Sequence, residues 1–326
     1  MKCTNKLKKT AGVSGLILAS FLLFGGCASS PTAYTEAYEA GHYTKDLYRG
    51  TLFAEDLCVA AEDVALDGYT EDPTFHAAGL FDLKEEKVLY ADRIHDRLYP
   101  ASTTKLMTAY LALKYGNPDD VVTVGENATS FAPDEQVCGL QTGDQLTLGD
   151  LLAGLMLYSG NDCATAIAEH ISGSVEKFAE LMNQEAWNLG AVNSHFVNPH
   201  GLHSEDHYTT AYDLYLIFNA CAKDERFIDL ISQKEYTVHI TGADKTVRTD
   251  VWAATNYYSS GEAAMPAGVT VLGGKTGTTN EAGNCVILYE EDAENNPYIS
   301  VIMGAGDKPT LYTYMSQLLT AGIRDK

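Results

Sequence analysis

Residues 99–115 have the sequence YPASTTKLMTAYLALKY, which has the composition of a buried helix. Pro100 suits the first turn of a helix, Gly116 suits the position after its last turn, and Pro118 lies just beyond. The apolar residues between these ends cover almost the whole circumference of the helix: Leu106, Met107, Ala109, Tyr110, Leu111 and Leu113. A helix that is apolar on every side lies inside a domain. The sequence therefore predicts a buried helix from Pro100 to Tyr115.

Strand-like segments lie on both sides of this helix. Residues 77–81 and 87–91 are apolar and flank a polar turn, which predicts a β-hairpin. Near the C terminus, three further segments predict an antiparallel meander: residues 269–278, 285–289 and 298–303. A helix is predicted after them, over residues 311–322.

The middle of the chain has helical patterns. Thr147 and Asp150 have the spacing of a capping box, which predicts a helix reaching Leu157. Asp162 is predicted to cap the following helix over residues 164–171. Strands at the ends and helices between them predict an α+β fold, in which an antiparallel sheet is flanked by helices and carries an inserted helical subdomain at about residues 116–235.

The first 56 residues differ from the rest. Four lysines precede a fourteen-residue uncharged, mostly apolar run from Ala11 to Phe24, which is the pattern of a signal peptide. Cys27 follows two glycines, and this junction resembles a bacterial lipobox. We therefore expect a lipoprotein signal peptide over residues 1–26, a lipid on Cys27 that anchors the exported protein to the extracytoplasmic face of the cell membrane, and a tether over residues 27–56. Ordinary cleavage near Ala28 is the alternative.

Charge and cysteine content exclude some classes of function. The formal net charge is −22, and it becomes −26 when residues 1–26, with their four lysines, are removed. Such an acidic surface repels nucleic acid, so no nucleic-acid partner is expected. Five cysteines lie beyond Cys27, at wide spacing and without a CxxC pair: Cys58, Cys138, Cys163, Cys221 and Cys285. We expect mostly buried thiols and no metal site made from them. The pattern also allows one disulfide bond.

The tetrapeptide Ser102-Thr103-Thr104-Lys105 could carry nucleophilic catalysis. Residues at i and i+3 share a helix face, so Lys105 can reach the Ser102 hydroxyl. A serine needs a neighbouring base, and burial can lower the pKa of a lysine far enough for it to act as one. The pattern alone is weak, because a second copy, Ser174 to Lys177, occurs without an apolar helix behind it.

Two further motifs follow in the chain. Ser159-Gly160-Asn161 separates two predicted helices and could relay a proton to a leaving amine, or it could simply form a turn. Gly273-Gly274-Lys275-Thr276-Gly277-Thr278 lies on a predicted strand, where the glycines would allow a peptide to approach as an added strand. Lys275 and the threonine hydroxyls could then hold a carboxylate, while the amides of Ser102 and Thr278 could form an oxyanion hole. The alternative is a glycine-weakened strand with a surface lysine.

In this order, the three motifs resemble those of the D-alanyl-D-alanine carboxypeptidases, the low-molecular-weight penicillin-binding proteins. The resemblance runs from about Ala77 to Gly322 and includes residues 99–108, 159–162, 196–202 and 274–279. It implies a fold similar to that of β-lactamases and DD-peptidases, and removal of the terminal D-alanine from peptidoglycan stem peptides through an acyl-enzyme. It also implies covalent inhibition by β-lactams and no cofactor. The site residues it implies are Ser102 as nucleophile, Lys105 as base, Ser159 and Asn161 in the second motif, and Lys275, Thr276, Gly277 and Thr278 for substrate.

The chain departs from the family pattern at three points. Cys163 stands where alanine is common, so a thiol is expected near the chemistry. The arginine expected near the start of the last helix, to bind the substrate carboxylate, is absent from residues 304–322. The catalytic domain is expected to span residues 57–326, without the C-terminal β domain of many relatives.

Three other functions each fit part of the sequence. A class A-like β-lactamase usually has Asp in the middle of the second motif, where this chain has Gly160. A zinc peptidase could use four closely spaced histidines, but no H-E-x-x-H helix accompanies them: His195, His200, His203 and His207. A catalytically weak sensor of wall peptides is the third possibility, and the missing arginine is its best argument.

Overall fold

A computed structural model describes residue 54, residues 56–70 and residues 72–323. The chain divides into two units, residues 1–55 and 56–326, and the description concerns the second. The predicted signal peptide, Cys27 and almost all of the predicted tether lie outside the described residues. No described helix has both the length and the apolar composition needed to cross a membrane.

The described strands and helices follow one another along residues 77–322. The strands are β1 (Ala77–Asp82), β2 (Lys87–Asp92), β3 (Val121–Thr123), β4 (Gln145–Thr147), β5 (Glu235–Thr241), β6 (Val247–Ala253), β7 (Val269–Thr279), β8 (Gly283–Asp292) and β9 (Pro297–Ala305). The helices are α1 (Lys105–Tyr115), α2 (Leu148–Ala153), α3 (Asn161–Ser172), α4 (Val175–Asn188), α5 (Ala211–Ala222), α6 (Glu225–Ile231), α7 (Tyr257–Ser260) and α8 (Lys308–Gly322).

The main sheet brings the two ends of the domain together. Its order is β2-β1-β9-β8-β7, and every neighbouring pair is antiparallel. Strand β1 pairs with β9, so that Gly79 lies opposite Val301. The predicted hairpin, the predicted meander and the α+β class are confirmed. This register places the K-T-G motif on β7, at one edge of the sheet.

Each face of the main sheet packs against a different set of helices. One face packs with α8 in a core that includes Leu80, Val286 and Ile302. The other face packs against α1 and α5, in a core that includes Phe81 and Ile287. Alternating side chains of a strand point to opposite faces, which is why neighbours such as Val286 and Ile287 belong to different cores. The sheet is therefore covered by helices on both sides.

Helix α1 is buried as predicted, but its first turn differs. Residues Ala101–Thr104 form a 3₁₀ turn, and the α-helix begins only at Lys105. In a 3₁₀ turn the side chains at i and i+3 lie directly above one another. Ser102 and Lys105 are therefore aligned more closely than a regular α-helix would align them.

The inserted region contains a second sheet as well as helices. Strands β3 to β6 form a four-stranded sheet, and β3 and β4 lie inside the segment predicted to be helical. The capping box of Thr147 and Asp150 is present at the start of α2, as predicted. The predicted cap at Asp162 is wrong, because α3 begins at Asn161 and has no side-chain cap. The Asp162 carboxylate instead accepts hydrogen bonds from the amides of Cys138 and Leu140, at 2.9 and 3.1 Å.

Candidate active site

The 3₁₀ turn at the start of α1 presents Ser102 to Lys105. Lys105 Nζ lies 2.9 Å from Ser102 Oγ. The preceding residue, Ala101, has φ of 48°, a left-handed conformation that non-glycine residues rarely adopt. Such strained residues cluster at functional sites, where the surrounding packing holds them. The turn therefore presents the Ser102 hydroxyl to the amine through a backbone shape that tertiary contacts enforce.

Lys105 is completely buried and makes three hydrogen bonds. Besides Ser102, its Nζ lies 2.7 Å from Asn161 Oδ1 and 2.7 Å from the carbonyl oxygen of His200. Burial lowers the pKa of Lys105 from its ordinary value to about 7, against the opposing charge of Asp162. A substantial fraction of this amine is therefore neutral near neutral pH, as a general base requires.

The second motif follows an unusual helical turn. Residues Gly154–Tyr158 form a π-helical turn, and Ser159 then has φ of 68° in the left-handed region. Single π turns of this kind are often found at functional sites. The turn ends α2 so that Ser159 faces Lys275, whose Nζ donates to Ser159 Oγ at 2.8 Å. Asn161 then opens α3 next to Lys105.

The third motif lies on β7, against the nucleophile turn. Lys275 is completely buried, and its Nζ also donates to the Thr276 carbonyl oxygen at 2.9 Å. Burial holds the pKa of Lys275 well below its usual range, and the positive charges of Lys105 and Lys308 lower it further to a smaller extent. A Cβ atom at Gly277 would lie 2.9 Å from the Ser102 amide nitrogen, so only glycine allows this close approach.

The structure brings together all the predicted site residues that it describes. Ser102, Lys105 and Asn161 are joined by hydrogen bonds, and so are Ser159 and Lys275. The Thr276 hydroxyl lies 2.9 Å from that of Thr255, and Thr278 Oγ1 donates to Asn284 Oδ1 at 3.1 Å. The two hydroxyls of the K-T-G strand are thus each held by a neighbour that the sequence did not indicate.

A cleft of about 530 Å³ opens onto Ser102, Asn161 and Thr278. Sequence reasoning missed part of its wall, because these residues lie in irregular segments without a periodic pattern: Asp134, Glu135, Gln136, His203, Asn280 and Glu281. The wall also includes Gly201, Leu202 and Thr279, which belong to segments that carry the family resemblance. Gln136 also holds the second motif, since its carbonyl oxygen accepts from the Asn161 amide at 2.8 Å. The carbonyl oxygen of His200, which belongs to one of the segments that carry the family resemblance, contacts Lys105.

The second S-x-x-K copy has a structural role. Ser174 caps α4, and its hydroxyl accepts from the Lys177 amide at 3.3 Å. Both residues lie outside the cleft.

The four clustered histidines contact different partners. The contacts are His195 with the Asp206 carbonyl oxygen, His200 with the Leu202 amide, His203 with Glu281, and His207 with Thr104. Burial lowers the pKa of His207 to about 4, so this ring is neutral at neutral pH. In the described part of the chain, the one close group of three metal-ligating side chains is Cys138, Asp162 and Cys163, which includes no histidine.

A lysine lies at the start of the last helix, near which the family resemblance implies an arginine. Lys308 is the first residue of α8, directly after its N-cap Asp307. Its Nζ lies 5.8 Å from the ring centre of Tyr257, and its charge contributes to the lowered pKa of Lys275. A positive charge is therefore present near the K-T-G strand.

A family model described as D-alanyl-D-alanine carboxypeptidase matches residues 70–307. The chain belongs to this family. It is 34% identical over 256 residues to D-alanyl-D-alanine carboxypeptidase DacA of Haemophilus influenzae, covering 76% of this chain and 61% of that protein. It is 32% identical to DacD of Escherichia coli, covering 76% of this chain and 62% of that protein. The chain thus spans about three fifths of the length of these two relatives.

Solved structures of family members have the same fold. The Streptomyces K15 DD-transpeptidase superposes with a TM-score of 0.70 at 28% identity, covering 78% of this chain and 99% of that one. Penicillin-binding protein 5 of Haemophilus influenzae gives a TM-score of 0.67 at 32% identity, covering 77% of this chain and 71% of that one. The predicted family and the predicted DD-peptidase-like fold are confirmed, and the family match does not favour the β-lactamase alternative.

Proposed function

We propose that this member of the carboxypeptidase family removes the terminal D-alanine from peptidoglycan stem peptides, through an acyl-enzyme formed on Ser102. The observation that carries the proposal is the position of Lys105 Nζ, buried between Ser102 Oγ and two carbonyl-type oxygens. The family match and the relatives named as carboxypeptidases support the same reaction.

The hydrogen bonds of Lys105 support its role as the base that activates Ser102. A neutral amine has two N–H bonds and one lone pair. The oxygens of Asn161 and His200 take the two N–H bonds, which leaves the lone pair directed at the Ser102 hydroxyl. Lys105 can therefore remove the proton as Ser102 Oγ attacks the carbonyl carbon of the penultimate D-alanine.

The other two motifs supply the remaining steps. The backbone of β7 passes beside the Ser102 amide, which supports an oxyanion hole formed by the Ser102 and Thr278 amides. Ser159 can pass a proton to the departing D-alanine amine, because its hydroxyl is held by Lys275 Nζ at 2.8 Å. Water then hydrolyses the acyl-enzyme.

Recognition of the terminal carboxylate is assigned to Lys275 and Thr276, assisted by Lys308. A substrate carboxylate beside Lys275 would favour its protonated form, which burial otherwise disfavours. Lys308 supplies a second positive charge in place of the arginine that relatives are expected to have. If the substrate peptide pairs with β7 as an additional strand, its terminal carboxylate would bind near Lys275 and Lys308.

The natural partners follow from this chemistry. We propose peptidoglycan stem peptides as substrates and β-lactam antibiotics as covalent inhibitors that acylate Ser102. The protein would work on the extracytoplasmic side of the membrane, attached through a lipid on Cys27. The location is supported by residues 1–26, whose basic start and apolar run are typical of an export signal.

The test uses protein lacking residues 1–27 and a peptide that ends in D-Ala-D-Ala. We expect D-alanine release and covalent labelling by penicillin, both abolished by Ser102→Ala. The matched control is Ser174→Ala, which alters the other S-x-x-K copy and should leave both signals unchanged. Folded protein that does not bind penicillin covalently would contradict the proposal. Stable labelling without D-alanine release would instead favour the sensor alternative.

A further inference from the structure

Two cysteines lie together beneath the Ser159–Asn161 turn. Cys138 belongs to the irregular segment before β4, and Cys163 lies in the first turn of α3. Their sulfurs lie within 4.8 Å of each other and of an Asp162 carboxylate oxygen. The two thiols are not bridged in this structure. Neither takes part in the mechanism proposed for Ser102.

One carboxylate oxygen holds both cysteines in place. Asp162 Oδ1 accepts from the Cys138 amide at 2.9 Å and from the Cys163 amide at 2.9 Å. Asp162 Oδ2 accepts from the Leu140 amide at 3.1 Å. Both carboxylate oxygens therefore accept backbone amide hydrogens. These contacts bring two distant backbone segments to one point.

The two sulfurs also occupy one small space between glycines. A Cβ atom at Gly154 would lie 2.6 Å from Cys163 Sγ and 2.9 Å from Cys138 Sγ. A Cβ atom at Gly160 would lie 2.6 Å from Cys138 Sγ and 3.2 Å from Cys163 Sγ. Both sulfurs therefore face the same two glycines. The two thiols are close enough to share a hydrogen bond.

The remaining described cysteines differ from this pair. Each is buried, and each thiol donates to a backbone carbonyl oxygen: Cys58 to Asp82, Cys221 to Leu106 and Cys285 to Ala282. Burial raises the pKa of the Cys163 thiol well above its usual range, and it also raises that of Cys138. Thiols in this state exchange slowly once they are buried. Oxidation is therefore expected mainly during folding, before the segment containing Cys138 packs against helix α3.

We propose that Cys138 and Cys163 are a disulfide site that ties one wall of the active-site cleft to helix α3. The oxidant is a disulfide, either of a small thiol or of a thiol oxidoreductase. One cysteine thiolate attacks this disulfide and releases the first reduced thiol. The other cysteine thiolate then attacks the mixed disulfide and releases the second. Two protein thiols are oxidised, one disulfide is reduced, and two protons pass to the released thiolates.

The bond would act on parts of the catalytic site. The segment with Cys138 also supplies Gln136, whose side chain donates to the Tyr158 carbonyl oxygen at 3.1 Å and whose own carbonyl oxygen accepts from the Asn161 amide at 2.8 Å. Asp134 and Glu135 of the same segment line the cleft. A covalent link between Cys138 and Cys163 would hold this wall against the turn that carries Ser159 and Asn161.

In the experiment the full chain is unfolded in urea and refolded in detergent at alkaline pH, with either oxidised glutathione or dithiothreitol present. It is then denatured again and alkylated with iodoacetamide. Both cysteines fall in one tryptic peptide, residues 115–177, because Lys114 and Lys177 have no Lys or Arg between them. After oxidation we expect this peptide to be lighter by two hydrogen atoms and not to be alkylated. After reduction we expect two alkylated cysteines in it.

Variants distinguish a disulfide bond between Cys138 and Cys163 from unspecific oxidation of other cysteines. Cys138→Ser and Cys163→Ser should each leave an alkylatable thiol, whereas the control Cys285→Ser should behave like the parent protein. The oxidised parent should also unfold at a Tm higher by about 5 °C or more than the reduced parent, and the two site variants should not show this rise. Full alkylation of both cysteines after oxidation of the parent would overturn the proposal, whatever the variants do. Acylation of Ser102 plays no part in these measurements.

Discussion

Burial of Lys105 sets the pH range in which Ser102 can react. Because the pKa of Lys105 is lowered to about 7, the amine is mostly charged below that pH and mostly neutral above it. The rate of Ser102 acylation by penicillin should therefore rise about tenfold per pH unit below 7 and level off above it. A pH–rate profile measured by stopped-flow fluorescence or gel labelling tests this. A profile that is flat between pH 5 and pH 8 would contradict it.

The arginine variant of Lys105 tests the same group in another way. An arginine keeps its charge at every accessible pH, so Lys105→Arg should lower the acylation rate by about 10²–10⁴-fold without a recovery at high pH. Lys177→Arg in the second S-x-x-K copy is the matched control and should acylate at the parent rate. The two copies have the same motif, but Lys105 is fully buried whereas Lys177 is exposed.

Two elements must touch for the nucleophile turn to hold its shape. Gly201 has φ of 88°, and a Cβ atom there would lie 1.8 Å from the Ala101 carbonyl oxygen. Gly201→Ala should therefore displace the 3₁₀ turn, lower the Tm and slow Ser102 acylation at least about tenfold. Thermal unfolding and penicillin labelling measure the two effects.

Gly173→Ala provides the control for backbone strain alone. Gly173 has φ of 80° at the end of α3, but a Cβ atom there would meet nothing within 4 Å. This variant should lose some stability, because alanine is strained at positive φ, and should keep the parent acylation rate. Equal loss of acylation in the two variants would show that contact with Ala101 is not the cause.

The stability of the whole domain should depend on pH through Glu290. This residue of β8 is fully buried, and its Oε1 accepts from the Ser300 hydroxyl. Burial raises the pKa of Glu290 to about 8 from the 4.5 of an exposed glutamate. The folded state therefore keeps a proton that the unfolded chain releases above pH 4.5. The contribution to stability is complete below pH 4.5 and is lost as the pH rises to about 8.

Glu290→Gln removes this titration and keeps an acceptor for Ser300. Relative to the variant, the parent protein should lose free energy of unfolding as the pH rises from 5 to 8, by at most about 1.4 kcal/mol per pH unit. Urea unfolding of both proteins at several pH values measures the difference. Comparison with the variant cancels the contributions of other groups, such as Lys105, whose lowered pKa changes stability mainly above pH 7. A constant difference across this range would contradict the expected role of Glu290.

Much of the fold and site could be predicted from the sequence, because local patterns carry that information. The apolar residues that surround most of the helix at residues 106–113 predicted its burial, and strand patterns at both ends of the chain predicted the α+β class. The pairing of β1 with β9 was not predicted. The order of the three motifs indicated the family, and the structure brings the described residues of these motifs together, although part of the cleft wall was missed. Small strands such as β3 and β4, three residues each, are too short to have a recognisable period.

Only the tertiary structure decided how these residues are held. The neutral fraction of Lys105 depends on burial and on oxygens from Asn161 and the His200 loop, which lie 56 and 95 residues away in sequence. Cys138 and Cys163 are 25 residues apart in the chain and meet because one Asp162 oxygen accepts both amides. Desolvation and long-range contact depend on three-dimensional packing, so no local period reports them. The sequence by itself determined which groups are available and on which elements they lie, and packing determined their protonation and their partners.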